Sequence, residues 1–234
     1  MKILLTGANG YIGMRLLPKL LEMGHEVVCT VRDENRLSID KETRKKVEVI
    51  EIDFLEEVVA NKIPKDIDAA YFLIHLMTVT TKNFDELEAQ AARNFNSYVK
   101  HTQIKQVIYL GGIVNDDNLS KHLWSRKNVE EILRKGDFSL TVLRAGIIVG
   151  SGSSSFEIIR DLSEKLPVMV TPKWVLTKSQ PIAIRDVIKF LLGVLGNEKT
   201  YSDTFDIAGP DVLSYKEMLH QYAEARGFKN WIYT

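Results

Sequence analysis

The chain has 234 residues, enough to bury one substantial core but cramped for two full domains. Its 31 Lys+Arg balance 31 Asp+Glu, so no net field favours nucleic acid, and a single cysteine, Cys29, excludes an internal disulfide. The five histidines, at 25, 75, 101, 122 and 220, show no metal-ligand spacing with that cysteine, so no metal is expected. No apolar run approaches the length of a membrane span, and Thr6-Gly7 breaks the opening apolar run too early for a signal peptide. A soluble, cytoplasmic protein is the expectation.

In chain order, short β-rich apolar runs predict strands at 2–6, 26–31, 47–52, 68–74, 105–110 and 138–143. Segments of helical period lie between them. The clearest is 84–101, where Phe84, Leu87, Ala91, Phe95, Tyr98 and Val99 share one face while Lys82, Asp85, Glu88 and Lys100 fall elsewhere. This alternation predicts an α/β fold, a doubly wound parallel sheet whose crevice opens at the carboxyl ends of the strands. The run Asn115-Asp116-Asp117-Asn118 reads as a solvated loop. After Gly150 the texture changes: 151–155 is a Ser/Gly loop, 156–166 reads as a helix, and Pro167 and Pro172 break up the stretch beyond that helix. Further regular segments at 182–196, 203–208 and 214–226 read as a small C-terminal extension, residues 151–234, packed on the sheet of a single domain. The apolar ending Trp231-Ile232-Tyr233-Thr234 predicts a surface covered by a further C-terminal domain or a second copy of the chain.

The first strand runs into Thr6-Gly7-Ala8-Asn9-Gly10-Tyr11-Ile12-Gly13, which opens a helix continuing through Leu16, Leu17, Leu20 and Leu21. A dinucleotide site needs glycine at the turn, glycine where backbone approaches a pyrophosphate, and glycine where helix and strand pack closely. Gly7, Gly10 and Gly13 stand in those contexts, although the spacing is Gly-x-x-Gly-x-x-Gly rather than Gly-x-Gly-x-x-Gly. Asn9, Tyr11 and Ile12 fall inside the same loop.

Nineteen residues beyond Gly13 the second strand ends at Arg32. A carboxylate at that tip would accept from the ribose hydroxyls of NAD, whereas arginine pairs with the extra phosphate of NADP. Arg32 therefore favours NADP(H), with NAD(H) the alternative should Asp33 turn to the ribose, and an exposed strand-end arginine without a ligand is a third reading. Asp53, closing the third strand, fits either an acceptor for the adenine amino group or a helix N-cap, and Phe54 after it is counted with the cofactor-binding residues.

With this loop, Arg32, Asp53 and the later Leu143-Arg144-Ala145-Gly146-Ile147-Ile148-Val149-Gly150, the chain resembles the atypical and extended short-chain dehydrogenases/reductases, a Rossmann-fold class. The resemblance is most specific to the NAD(P)H-binding, nucleoside-diphosphate-sugar epimerase-like branch, related to NmrA-like proteins and the complex I accessory subunit. It rests on Ala70-Tyr71-Phe72-Leu73-Ile74-His75, Tyr109-Leu110-Gly111-Gly112, the stretch 166–174, Gln180-Pro181-Ile182-Ala183-Ile184-Arg185-Asp186-Val187 and Asp206-Ile207-Ala208-Gly209-Pro210. It implies that Ile74, His75, Leu110, Gly111, Ala145, Gly146 and Ile147 line the ribose and nicotinamide, with substrate roofed by 151–180.

Active members of that class use a tyrosine, a lysine four residues later and a serine after the fifth strand. Here Gly111-Gly112 follows the fifth strand, and His122 and Arg126 occupy the tyrosine–lysine spacing. Arg126 can contact the ribose, and His122 can move a proton near neutral pH or serve as a plain surface residue. His75 is the rival acid or base, the alternative being a buried histidine bonded to a backbone carbonyl. Arg144 reads as a paired arginine without an identifiable partner. Two functions are compatible with this pattern: an NADP(H)-dependent oxidoreductase or epimerase-like enzyme acting on an unidentified small molecule, or a non-catalytic NADP(H) sensor or scaffold of NmrA-like type.

Overall fold

The computed structural model describes residues 1–76, 83–113 and 121–234, with the backbone alone at Lys121 and His122. The 115–118 run and Lys82 lie outside the described residues. The chain divides into two compact units, Met1–Arg144 with Ile188–Asp206, and Ala145–Val187 with Ile207–Thr234.

The chain begins with β1 (Lys2–Thr6), α1 (Gly13–Glu22), β2 (Glu26–Val31), α2 (Lys41–Lys45), β3 (Val47–Glu51), β4 (Ala69–Phe72), α3 (Phe84–Val99), β5 (Gln106–Gly112), α4 (Lys121–Leu133) and β6 (Ser139–Ala145), all in the first unit but for the last residue of β6. The later chain supplies β7 (Ile148–Val149), α5 (Ser154–Lys165), β8 (Val168–Val170), β9 (Lys178–Ser179), β10 (Ile182–Ala183), α6 (Ile184–Val194), β11 (Thr204–Ile207), β12 (Leu213–Ser214), α7 (Tyr215–Ala225) and β13 (Trp231–Tyr233).

Seven strands form the main sheet in the order β3-β2-β1-β4-β5-β6-β11, and the pairs β1/β2, β2/β3, β1/β4 and β4/β5 are parallel. The first six follow the Rossmann order, with its reversal of direction between β1 and β4. A parallel sheet covered on both faces needs strands apolar on both sides. Ile3, Leu4 and Leu5 of β1 accordingly have no exposed surface. The segment 203–208, read from sequence as part of an appended extension, instead contributes β11 to the main sheet beside β6. Four residues of alternating pattern carry too little signal to assign a sheet.

Two helices show how the layers seal. Leu16, Leu17 and Leu20 of α1 are wholly buried, and Ala89, Ala92, Phe95 and Val99 of α3 enter a core with Phe54, Phe72 and Tyr109. Phe95 meets Phe72 edge-on at 5.0 Å between ring centres. Beside them the sequence placed Glu88 off the packed face, but it is buried, three residues before Ala91 and seven before Phe95. The inward stripe of α3 therefore passes through a charge, which hydrophobic patterning discards.

The second unit has its own core of Ile159, Met169, Met218, Leu219 and Ile232, with Ile147 packed against it. Ser153 caps α5 and Ser214 forms a capping box with Glu217 at α7. The chain's apolar ending is a strand: β13 pairs in parallel with β8, burying Ile232 and Met169 while Trp231, Tyr233, Val168 and Val170 face outward. Among the described residues no helix is long and apolar enough to cross a membrane.

Candidate functional site

The glycine loop follows directly from the end of β1. Thr6 is wholly buried there, its hydroxyl donating to the Tyr71 carbonyl at 3.0 Å and accepting from the Leu73 amide at 3.1 Å. These bonds tie the end of β1 to the end of β4, where the strand order reverses. Gly7 then turns at φ +65°, and a Cβ on it would stand 2.7 Å from the Leu73 carbonyl oxygen. Only glycine meets both demands. A Cβ on Gly13 would run into the Gly7 carbonyl oxygen and lie 2.8 Å from Ala8 Cα, so its absence lets α1 start against the loop.

Between them Gly10 donates to the Gly7 carbonyl at 2.9 Å and is exposed, as is Asn9. No side chain caps α1, and in its first turn the Met14 and Arg15 amides donate to the Gly10 and Ile12 carbonyls, each at 3.0 Å. The loop stands at the positive end of that helix, the place that receives a pyrophosphate. Arg15 braces it, its guanidinium 3.8 Å above the Tyr11 ring and donating to the Tyr11 carbonyl at 3.0 Å. Ile12 is the residue that precedes α1. The close backbone approaches at Gly7 and Gly13 fit a dinucleotide loop.

At the tip of β2, Arg32 is exposed. Asp33 is engaged locally: its carboxylate accepts from the Asn35 amide at 2.9 Å and from the Asn35 side chain at 3.0 Å, capping a 3-10 turn. Asp53 closes β3 as a turn residue rather than a helix cap. Its carboxylate accepts from the Leu55 amide at 3.0 Å, and the residues just beyond it form a turn, not a helix. The Phe54 ring lies in the core, 5.5 Å from Tyr98, and its carbonyl accepts from Asn94, so its side chain is committed to packing.

Leu73 and Ile74 bring the end of β4 against Gly7, and His75 comes next in the chain. His75 Nδ1 is 2.6 Å from Glu88 Oε1, which also accepts from the Leu76 amide at 3.2 Å, while Ser125 donates to Glu88 Oε2 at 2.6 Å. Burial alone would raise the Glu88 pKa. The bonds from His75 and Ser125 and the charge of Arg126 outweigh it and hold the carboxyl down to about 2. His75 is held below its ordinary value, chiefly by burial and further by Arg126, against the pull of Glu88. The pair is thus a carboxylate and a neutral imidazole at neutral pH, with Nδ1 bonded to a side-chain carboxylate.

Arg126 lies one residue beyond Ser125 on α4, and the Tyr109 hydroxyl donates to its carbonyl at 3.2 Å. The structure therefore gathers two candidates, His75 and Arg126, around two residues that sequence reasoning missed, Glu88 and Ser125. The helical phase of Glu88 was the one available signal. The His122 side chain lies outside the described residues.

Leu110 is buried and Gly111 half-buried at the end of β5, and a Cβ on Gly112 would come within 2.9 Å of the Leu123 side chain. Ala145, Gly146 and Ile147 belong to the second unit, where the Ile147 carbonyl accepts from the Ile182 amide at 2.9 Å. Arg144 has the partner that sequence did not supply, Glu130 on α4, which it grips with Nε at 3.1 Å and Nη2 at 3.0 Å.

The profile of a family described as NAD(P)H-binding matches residues 7–169. The mitochondrial NADH-ubiquinone oxidoreductase 40 kDa subunit of Neurospora crassa is 24% identical over 217 residues, 91% of this chain and 56% of that protein. The chain thus spans about half the length of that curated relative. Among solved structures, MoeE5 in complex with UDP-glucose and NAD is similar over 100% of this chain and 84% of that one, with a TM-score of 0.78 at 16% identity. UDP-glucuronic acid 4-epimerase from Bacillus cereus in complex with NAD is similar over 99% of this chain and 85% of that one, with a TM-score of 0.79 at 19% identity.

Proposed function

From the premise that the chain belongs to the NAD(P)H-binding family, we propose that it is an NADP(H)-preferring oxidoreductase or epimerase-like enzyme acting on a small carbonyl or alcohol. Bound to such a protein, the nicotinamide group supplies two-electron transfer to or from carbon. The residues assigned to hold the cofactor are Gly7, Asn9, Gly10, Tyr11, Ile12 and Gly13 for the pyrophosphate, Arg32 for the 2′-phosphate and Asp53 for the adenine. Ile74, His75, Leu110, Gly111 and Arg126 are assigned to the ribose and nicotinamide, together with Ala145, Gly146 and Ile147 by resemblance. His75 is the favoured acid or base, and His122 stays its rival. A reducing cytoplasm suits a chain whose one cysteine, Cys29, is buried with its thiol pushed up to about 12 by that burial.

The single observation that carries the cofactor preference is at the tip of β2: Arg32 stands exposed, while Asp33 is drawn into its own turn through Oδ1. An exposed guanidinium there makes charge-assisted bonds to a phosphate and only weaker hydrogen bonds to a bare ribose diol. Calorimetric titration of NADPH and NADH into the wild type and Arg32→Asp tests it. NADPH is expected to bind at least about tenfold more tightly than NADH, a difference of about 1.4 kcal/mol, and the variant to lose that preference. Equal affinities in the wild type would overturn the assignment.

The second reading, a sensor or scaffold without turnover, draws on Gly111-Gly112, where the class carries its serine. It predicts nucleotide binding with no oxidation of bound NADPH across a panel of aldehydes, ketones and quinones.

A further inference from the structure

Glu88 is a charged group on the inward side of a helix, 2% exposed, with both carboxylate oxygens taken. One faces His75 Nδ1 and the Leu76 amide, the other the Ser125 hydroxyl. Such a carboxylate is costly to bury, and an apolar pair of the same shape would commonly hold the helices together as well or better. Packing alone therefore gives no reason for it.

The donor arithmetic is decisive about the proton. An ionised carboxylate only accepts, so the hydrogen in the 2.6 Å contact sits on His75 Nδ1. The neutral ring then carries its lone pair on Nε2. The ring is 27% exposed, and it directly follows the Leu73–Ile74 backbone that presses on Gly7. Among the described residues, Glu88 from α3 and Arg126 from α4 are charged groups that act on it, and Tyr109 of β5 feels both.

We propose that Glu88, supported by Ser125, is a positioning residue that fixes His75 as the Nδ1–H tautomer and so makes Nε2 the atom that exchanges a proton with a carbonyl or hydroxyl ligand. This rests on the reading that NADP(H) occupies the glycine loop. When an alcohol is oxidised, Nε2 takes the hydroxyl proton while the carbon-bound hydrogen leaves with its electron pair to the oxidised nicotinamide. When a carbonyl is reduced, the imidazolium returns that proton to oxygen. Glu88 stays ionised in both directions and stabilises the imidazolium without taking its proton, a role that a neutral amide fills poorly.

Nitrogen NMR of the full chain labelled at histidine, with the His75 signal identified by its loss in His75→Gln, reads the tautomer directly. In the wild type near neutral pH His75 is expected to carry its proton on Nδ1. Glu88→Leu, which removes the acceptor at Nδ1, is expected to shift the ring toward the Nε2–H form, and Glu88→Asp to retain Nδ1–H in larger part. NADPH at saturation is expected to move the Nε2 resonance while leaving the tautomer in place. A wild-type ring protonated on Nε2, or a tautomer unchanged in Glu88→Leu, overturns the proposal, and the first of these needs no variant to fold. NADPH that binds by calorimetry without moving the His75 signals overturns it too. Absence of NADPH binding by calorimetry instead overturns the cofactor reading and, with it, the role given to His75.

Discussion

Two regions of the first unit meet near the end of β4 and are built on opposite principles. The glycine loop is continuous, residues 7–13, and works because side chains are missing: Gly7 and Gly13 leave no room for a Cβ. The cluster of His75, Glu88 and Ser125 comes from three elements, separated by 13 and 37 positions, and works only because of what its side chains carry. Backbone cradles tolerate no added atom, whereas side-chain networks tolerate no lost donor or acceptor. The two regions should therefore fail in different ways.

The largest effect is expected at Gly13→Val. Three added carbons would collide with the Gly7 carbonyl and Ala8, both backbone atoms that cannot swing aside. A loss of about 3 kcal/mol, at the upper end for overpacking, is expected in urea melts, with NADPH binding abolished in whatever remains folded. Full nucleotide affinity in a stable Gly13→Val protein would show that the loop is not the cradle.

Glu88→Leu comes next, and here the expected damage is electrostatic. His75 Nδ1, the Leu76 amide and the Ser125 hydroxyl would lose their acceptor, at an expected cost of about 2 to 3 kcal/mol. Acid titration separates this loss from simple packing. A carboxyl held at about 2 in the fold against an ordinary 4.5 stabilises the fold fully above pH 4.5, by about 3 kcal/mol, and that gain disappears as pH falls toward 2. His75, held below 6.5, acts in the same direction: its contribution is present above 6.5 and declines as pH falls through its folded value. Stability of the wild type should thus fall steadily with acid below about pH 6.5, and Glu88→Leu should flatten the part of that slope below 4.5. An unchanged slope would mean that Glu88 is not ionised in the fold.

The contrast also explains how much of the molecule is legible in its sequence. The six strands follow from short apolar runs, and the loop from three glycines placed between a strand and a helix, because both signals are local. Glu88 could not be placed while charge was taken as a mark of the solvent face, although its phase with Ala91 and Phe95 puts it inward. Arg144 needed Glu130, fourteen residues away on another element, and no local pattern supplies such a partner. The β8/β13 ribbon escapes sequence reasoning for the same reason: Trp231-Ile232-Tyr233 looks like a ragged apolar end until Val168-Met169-Val170 is brought beside it. Asp53 and Phe54 lie beyond β3, which ends at Glu51, and the turn and the core, rather than a helix, take up their local bonds and ring.

The smallest effect belongs to Ser125→Ala, and it is the most discriminating. Ser125 has no exposed surface, so the change leaves a void of about one oxygen atom and removes one donor from Glu88 Oε2. The expected loss is about 1 to 2 kcal/mol, that of a hydrogen bond to a charged group. If the serine merely fills space, the loss will be the same at every pH. If it helps keep the carboxylate ionised, Glu88 will protonate more readily, and the acid limb will move to higher pH with the loss largest well above it. Melts of Ser125→Ala at pH 7 and pH 3 decide between these. A loss at pH 7 that shrinks toward pH 3 ties Ser125 to the charge on Glu88, and a constant loss reduces it to packing.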